Sequence, residues 1–292
     1  MPPISPVVLP SGITDHPRVT LVLVIIGGAG VYYVANLEQV PSTGRWRFND
    51  VGIADEQQMG EQAYQQTLAQ YRGRILPESH PATVQVRRVV ARIIKAAAEL
   101  DAERAPGAQP TQWSVHVVKD NQTNAFVLPG GKIFVFTGIL PVCGSDAGLA
   151  TVLSHEVSHQ LARHSAEKMA GYKVLLLGTF VLDLLGFDFG LSRVALNLLL
   201  SLPNSRKLET EADYLGLQLM ARACYDPDNA ANFWKRMDRA DGHKSDILSS
   251  VLSTHPVNAQ RIESINEWLP KARQLYSASG CRNAHAFMTQ MR

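Results

Sequence analysis

His155-Glu156-Val157-Ser158-His159 concentrates more chemistry than any other stretch of this chain. Histidines four apart lie on one face of a helix, so both imidazoles can reach a single metal ion. Glu156 stands one step round the helix, where it can take a proton from a water activated by that metal. Sites of this kind take two His and one carboxylate and leave a fourth position open. The carboxylate is expected from Ser205-Arg206-Lys207-Leu208-Glu209-Thr210-Glu211-Ala212-Asp213. Glu209 and Asp213 share a helical face, making Glu209 the third ligand and Asp213 an acceptor that orients a ligand imidazole. Glu209 alone would read as the exposed first turn of an ordinary helix; the upstream pair makes it a ligand. Glu211 points elsewhere and is expected to be solvated. A three-histidine site would need a His six residues after His159 with a Gly between them. Here His164 follows at five and Ala162 stands where the Gly would be, so His164 is expected at a helix end or behind a ligand.

The elements that must hold these residues are readable in outline. Ser145 or Asp146 can cap a helix whose inward stripe is Leu149, Val152, Leu153 and Val157. Val115, Val117, Phe126, Ile133 and Val135 favour strands, with Pro129-Gly130-Gly131 as a turn. Val86, Val89, Val90, Ile93, Ala97 and Leu100 form the apolar face of an amphipathic helix, with Arg87, Arg88 and Arg92 on its solvated side.

Taken together, these residues resemble the membrane metallopeptidases that include the CAAX prenyl proteases and the HtpX-type bacterial quality-control proteases. Two further stretches carry the likeness. The run Asn124 to Gly138 resembles the family's strand pair beside the active-site helix, and Thr254-His255-Pro256-Val257-Asn258-Ala259-Gln260-Arg261-Ile262 resembles its late His-Pro segment. The likeness runs from about Gly60 to Ile265. Within the family it is strongest to the mitochondrial inner-membrane branch, on Pro41-Ser42-Thr43-Gly44-Arg45-Trp46-Arg47-Phe48 and Tyr225-Asp226-Pro227. The resemblance implies a strand at Asn124, Ala125 and Phe126 that pairs with an extended substrate. It also implies that His255 donates a hydrogen bond to the developing oxyanion. Arg261 would meet a substrate carboxylate or steady that region.

Composition bounds the rest. The chain has 292 residues, is 46% hydrophobic and carries a net charge of +2. That is one sizeable domain with room for a membrane piece, and no basic stripe speaks for nucleic acid. Val19 to Ala35 is uncharged and apolar, about 26 Å of helix, with Tyr32 and Tyr33 suited to an interface. It is expected to be one uncleaved anchor. Residues 1–18 lack the Arg-rich pattern of a mitochondrial presequence, so the precursor is expected to begin further upstream. Val174 to Leu202 is apolar but contains Asp183, Asp188 and Arg193, and is expected as a helical pair covering the site rather than a hairpin in lipid. Cys143, Cys224 and Cys281 lack metal or redox spacing, and pairing of Cys224 with Cys281 is left open.

The expectation is thus a mainly α fold with a small β-sheet (α+β), a zincin-type (gluzincin) domain over 60–292. A tail (1–18), a transmembrane anchor (19–36) and a linker (37–59) precede it. One Zn²⁺ would sit on His155, His159 and Glu209, with Glu156 as base. By resemblance the function is cleavage of misfolded or regulatory membrane proteins at the mitochondrial inner membrane, with the domain facing the intermembrane space. The alternatives are a bacterial-type envelope protease and a catalytically quiet client-binding adaptor. Expected partners are protein substrates, the bilayer through residues 19–36 and a second copy of the chain, with no nucleic acid.

Overall fold

The computed structural model describes residues 17–104, 111–186, 203–241, 255 and 259–281. They fall into two compact units. The first comprises the described residues up to Gln39, together with Trp46–Val51 and those from Ala166 to 205. The second holds Val40–Arg45, Gly52–Ser165 and those from Arg206 onward.

In the first unit, helix α1 (Pro17–Ala35) leads into strands β1 (Leu37–Gln39) and β2 (Trp46–Phe48), which pair antiparallel with Leu37 opposite Phe48. Arg47 bonds Glu38 at 2.8 Å, and Phe48 and Val51 bury against Ala166 and Ala170 of helix α6 (His164–Leu184). The stretch 37–59, expected as a linker, therefore contains an ordered hairpin and the start of helix α2 (Ile53–Gln70). Apolar contacts and the Arg47–Glu38 pair order it. The anchor expected at 19–36 coincides with α1, yet no helix among the described residues is long and apolar enough to cross a membrane. Leu21, Val24, Ile26, Val31 and Val34 on α1 are exposed, as are Val174, Leu176, Phe180 and Leu182 on α6. Residues 187–202, the rest of the expected covering pair, lie outside the described residues.

The second unit is built around helix α5 (Asp146–Leu161). Ser145 caps it by accepting from Gly148 N at 3.1 Å. From Gly148 to His159 every residue is buried, so the expected one-sided stripe becomes a helix enclosed all round. Helix α3 (Pro81–Arg104) packs on it through the predicted face, Val86 to Leu100. Each large aliphatic side chain removed from water there contributes about 1.5–3 kcal/mol. Strand β5 (Lys132–Phe136) runs between β3 (Ser114–Val118), parallel to it, and β4 (Ala125–Leu128), antiparallel. Gly130 and Gly131 make the β4–β5 turn with φ of 81° and 79°, which a side chain would strain. β4 is left at the sheet edge, and α4 (Leu140–Cys143) leads back to α5. Helices α7 (Pro203–Arg222), α8 (Asp228–Asp241) and α9 (Ala259–Ala278) complete the unit. A Cys224–Cys281 disulfide ties the turn that follows α7 to the turn that follows α9, settling the pairing left open by the sequence. Cys143 is a buried free thiol, pushed up to about 12 by burial.

Candidate metal centre

Helix α5 presents His155 and His159 one turn apart, as the spacing requires, with Nε2 atoms 3.1 Å from each other. Helix α7 delivers Glu209 to the same point: Oε2 lies 3.2 Å from His155 Nε2, and Oε1 lies 3.5 Å from His159 Nε2. The helices can approach this closely because residue 216 is glycine. A Cβ there would meet the backbone of His155 at 3.0 Å. His255 joins them, with Nδ1 2.8 Å from Glu209 Oε2 and Nε2 3.5 Å from Glu156 Oε1. One donor atom from each of His155, His159, Glu209 and His255 falls within 4.8 Å of the others, all four side chains buried.

Glu209 Oε1 is buried and has no hydrogen-bond partner. An ionised oxygen stranded in this way is costly unless a cation meets it, so the donor set fits a metal ion. Electrostatics agree. Burial alone would raise the Glu209 carboxyl, but hydrogen bonds from His155 and His255 outweigh it and hold it far below the usual range. Burial and Arg261 oppose a proton on His155, yet Asp213 and Glu209 push that imidazole up to about 9. Burial and the neighbouring His155 keep His159 well below its ordinary value. The pocket thus attracts positive charge while holding one imidazole neutral.

Each of these two imidazoles has a support behind it. With Nε2 turned to the centre, His155 Nδ1 donates to Asp213 Oδ1 at 3.0 Å. Asp213 also takes two bonds from Arg261, through Nε and, at 2.8 Å, Nη2; the Arg261 guanidinium lies 3.6 Å over the Trp234 ring. Arg261 is buried, with its guanidinium bonded to Asp213. Behind His159 stands His164, Nδ1 to Nδ1 at 2.8 Å. In an unbroken helix a residue five on would point away. Here α5 ends at Ala162, and Arg163 takes a left-handed φ of 52°, held by Glu56 at 2.7 Å, so the His164 ring comes back under His159.

Glu211 was expected in solvent, and this is corrected. It is buried and accepts from His164 Nε2 at 3.0 Å, Arg45 Nε at 2.9 Å, Arg45 Nη2 at 2.7 Å, and Thr43 Oγ1. Burial would raise its carboxyl, but the bonds from His164, Arg45 and Thr43 pull it down to about 2. A cavity of about 520 Å³ opens beside the two glutamates, lined among others by Arg206, Lys207, Tyr214 and Trp268.

The expected strand residues divide by register. Phe136 N bonds Asn124 O at 3.0 Å, so Asn124, Phe126 and Leu128 spend their backbone groups on β5. Ala125 and Val127 alternate with them and turn theirs to the open edge. The Phe126 ring stacks on Phe134 at 5.3 Å, within the protein.

Comparison with known proteins then decides the family. The model of peptidase family M48 matches residues 80–269. The chain belongs to peptidase family M48. Mitochondrial metalloendopeptidase OMA1 of Schizosaccharomyces pombe is 47% identical, across 88% of this chain and 74% of that protein. Its Saccharomyces cerevisiae counterpart is 37% identical over 88% and 76%. Human metalloendopeptidase OMA1, mitochondrial, is 32% identical over 86% of this chain and 49% of its own length. This M48 protein is a metalloendopeptidase, and its buried His-His-Glu-His cluster lies inside the matched region.

Proposed function

We propose that this M48 peptidase uses Zn²⁺ to cleave misfolded or regulatory membrane proteins at the mitochondrial inner membrane. The observation that carries the zinc reading is the partnerless, buried Glu209 Oε1 facing His159, with Glu156 3.5 Å from the adjoining His255. Two imidazole nitrogens and one carboxylate suit Zn²⁺ in an open catalytic site, and His155, His159 and Glu209 would hold it. When bound, the ion supplies Lewis-acid polarisation of the scissile carbonyl and acidifies water. Glu156 accepts the proton of the attacking water and returns it to the departing amine nitrogen as the C–N bond breaks. His255, between Glu209 and Glu156, would donate to the oxyanion. Ala125 and Val127 offer the β4 edge to an extended substrate backbone, which favours unfolded segments over particular sequences. Glu156→Gln leaves the three ligands in place. It is expected to keep its zinc and lose peptidase activity by at least about 100-fold; a zinc-loaded variant that still cuts an unfolded protein would overturn this assignment.

Placement in the mitochondrion follows the relatives, whose names carry it. The disulfide supports a domain in an oxidising space, such as the intermembrane space. Membrane attachment is supported by the exposed apolar side chains of α1. Alkaline carbonate should leave the protein in the membrane pellet, and removal of residues 1–36 should release it. Release of the intact chain would refute attachment through α1.

A further inference from the structure

We propose that the turn Val40–Arg45 is a positioning clamp for the metal ligand His159, acting through Glu211 and His164. The inference rests on the metal reading above and extends it to residues remote in sequence. Three links make the chain: Arg45 and Thr43 to Glu211, Glu211 to His164, and His164 to His159. The first spans 166 residues for Arg45 and 168 for Thr43.

The hydrogens along this chain can be ordered in only one way. His159 Nε2 faces the other donors, 3.1 Å from His155 Nε2, so the ring hydrogen sits on Nδ1. That N–H donates to His164 Nδ1, which must then be bare. His164 carries its hydrogen on Nε2 and donates to Glu211 Oε2. Glu211 accepts from that N–H, from two N–H groups of Arg45 and from the Thr43 hydroxyl, so it functions only as an acceptor. A carboxylate with four donors cannot turn, and neither can the ring bonded to it. The result is a fixed tautomer and a fixed ring angle for His159. His155 gets the same from a shorter assembly, Asp213 and Arg261. The Val40–Arg45 turn is itself anchored: Val40 N bonds Arg45 O at 2.9 Å, Gly44 N bonds Val40 O at 2.8 Å, and Val40 buries against Ala162 and Leu215. A rigid turn is what a clamp requires. Supports of this kind are worth about 10–100-fold in metal affinity.

The test measures zinc Kd by chelator competition on the full chain, the absorption spectrum of the Co²⁺-loaded protein, and thermal unfolding of the metal-free protein. Glu211→Gln and Arg45→Ala are each expected to weaken zinc binding by about 10-fold or more. Both should also alter the Co²⁺ spectrum, which a merely structural role would leave alone. Arg45→Lys, which keeps the charge but offers a single bonding nitrogen, should fall between Arg45→Ala and the parent and should fold if the alanine variant does not. Because the links are in series, Arg45→Ala combined with His164→Phe should bind zinc no more weakly than His164→Phe alone. Arg74→Ala, at a surface pair with Asp120, should change nothing. Zinc Kd within twofold of the parent for Glu211→Gln and both Arg45 variants would overturn the clamp, as would full additivity in the double variant. A parent protein that takes up no zinc would instead defeat the metal reading itself.

Discussion

Asp213 and Glu211 sit two residues apart on one helix and do the same job for different histidines. Asp213 reaches His155 directly and is charge-balanced by Arg261; Glu211 reaches His159 through His164 and is balanced by Arg45. Burial would raise the Asp213 carboxyl, but Arg261 and the bond to His155 hold it below its ordinary value. Replacing one charge of such a buried assembly leaves the others uncompensated. Asp213→Asn is therefore expected to cost about 3–5 kcal/mol of stability in the metal-free protein. It should also weaken zinc by about 10–100-fold. Denaturant unfolding beside chelator competition measures both. A variant with unaltered zinc affinity would separate Asp213 from the ligand shell.

The meeting of helices α5 and α7 depends on a residue without chemistry of its own. Gly216 lets the α7 backbone rest on Ser154 and His155. Gly216→Ala must push the helices apart by a few tenths of an ångström, carrying Glu209 away from the imidazoles, although alanine is the better helix former by about 1 kcal/mol. The expected outcome is weaker zinc binding with the overall helix content retained, read by competition and circular dichroism. Unchanged affinity would show that the two helices can give way locally. This contact also marks how far the sequence is legible. The clustering of His155 with His159 is legible because both lie within one turn, and that of Glu209 with Asp213 because they repeat that spacing. The amphipathic α3 follows from periodicity, and the strands from their β-branched and aromatic residues around the Pro129-Gly130-Gly131 turn. Glu211 is misread because helical spacing says only that it faces away from Glu209. That opposite side is expected to meet water, and instead it meets the α5–α6 turn. The left-handed Arg163 that brings His164 there has no local signature. The edge groups of Ala125 and Val127 depend on ladder register, which the strands alone do not specify. Arg45, Thr43 and Gly216 act through contacts with distant segments, so no window of sequence around them shows their part.

The second unit is closed on itself by Cys224 and Cys281, 57 residues apart. In the chain-entropy account a loop of that length stabilises the fold by about 4 kcal/mol. Reductant, or Cys281→Ser, should lower the urea midpoint correspondingly, and an unmoved midpoint would show that the packing of α9 alone suffices. The same loop encloses α8 with its Trp234, and α9 with its Arg261, so the bridge secures the partners of Asp213. The order in which the chain supplies the centre has a kinetic consequence. Arg45 precedes the α5 histidines, Glu209 follows them, and His255 and Arg261 come later still. Chains are made N-terminus first, and a domain generally folds as a unit. A chain that has delivered everything up to residue 254 still lacks the proposed oxyanion donor, His255, and the guanidinium that steadies Asp213. The proposed site is therefore complete only after the segment carrying His255 and Arg261 has been made.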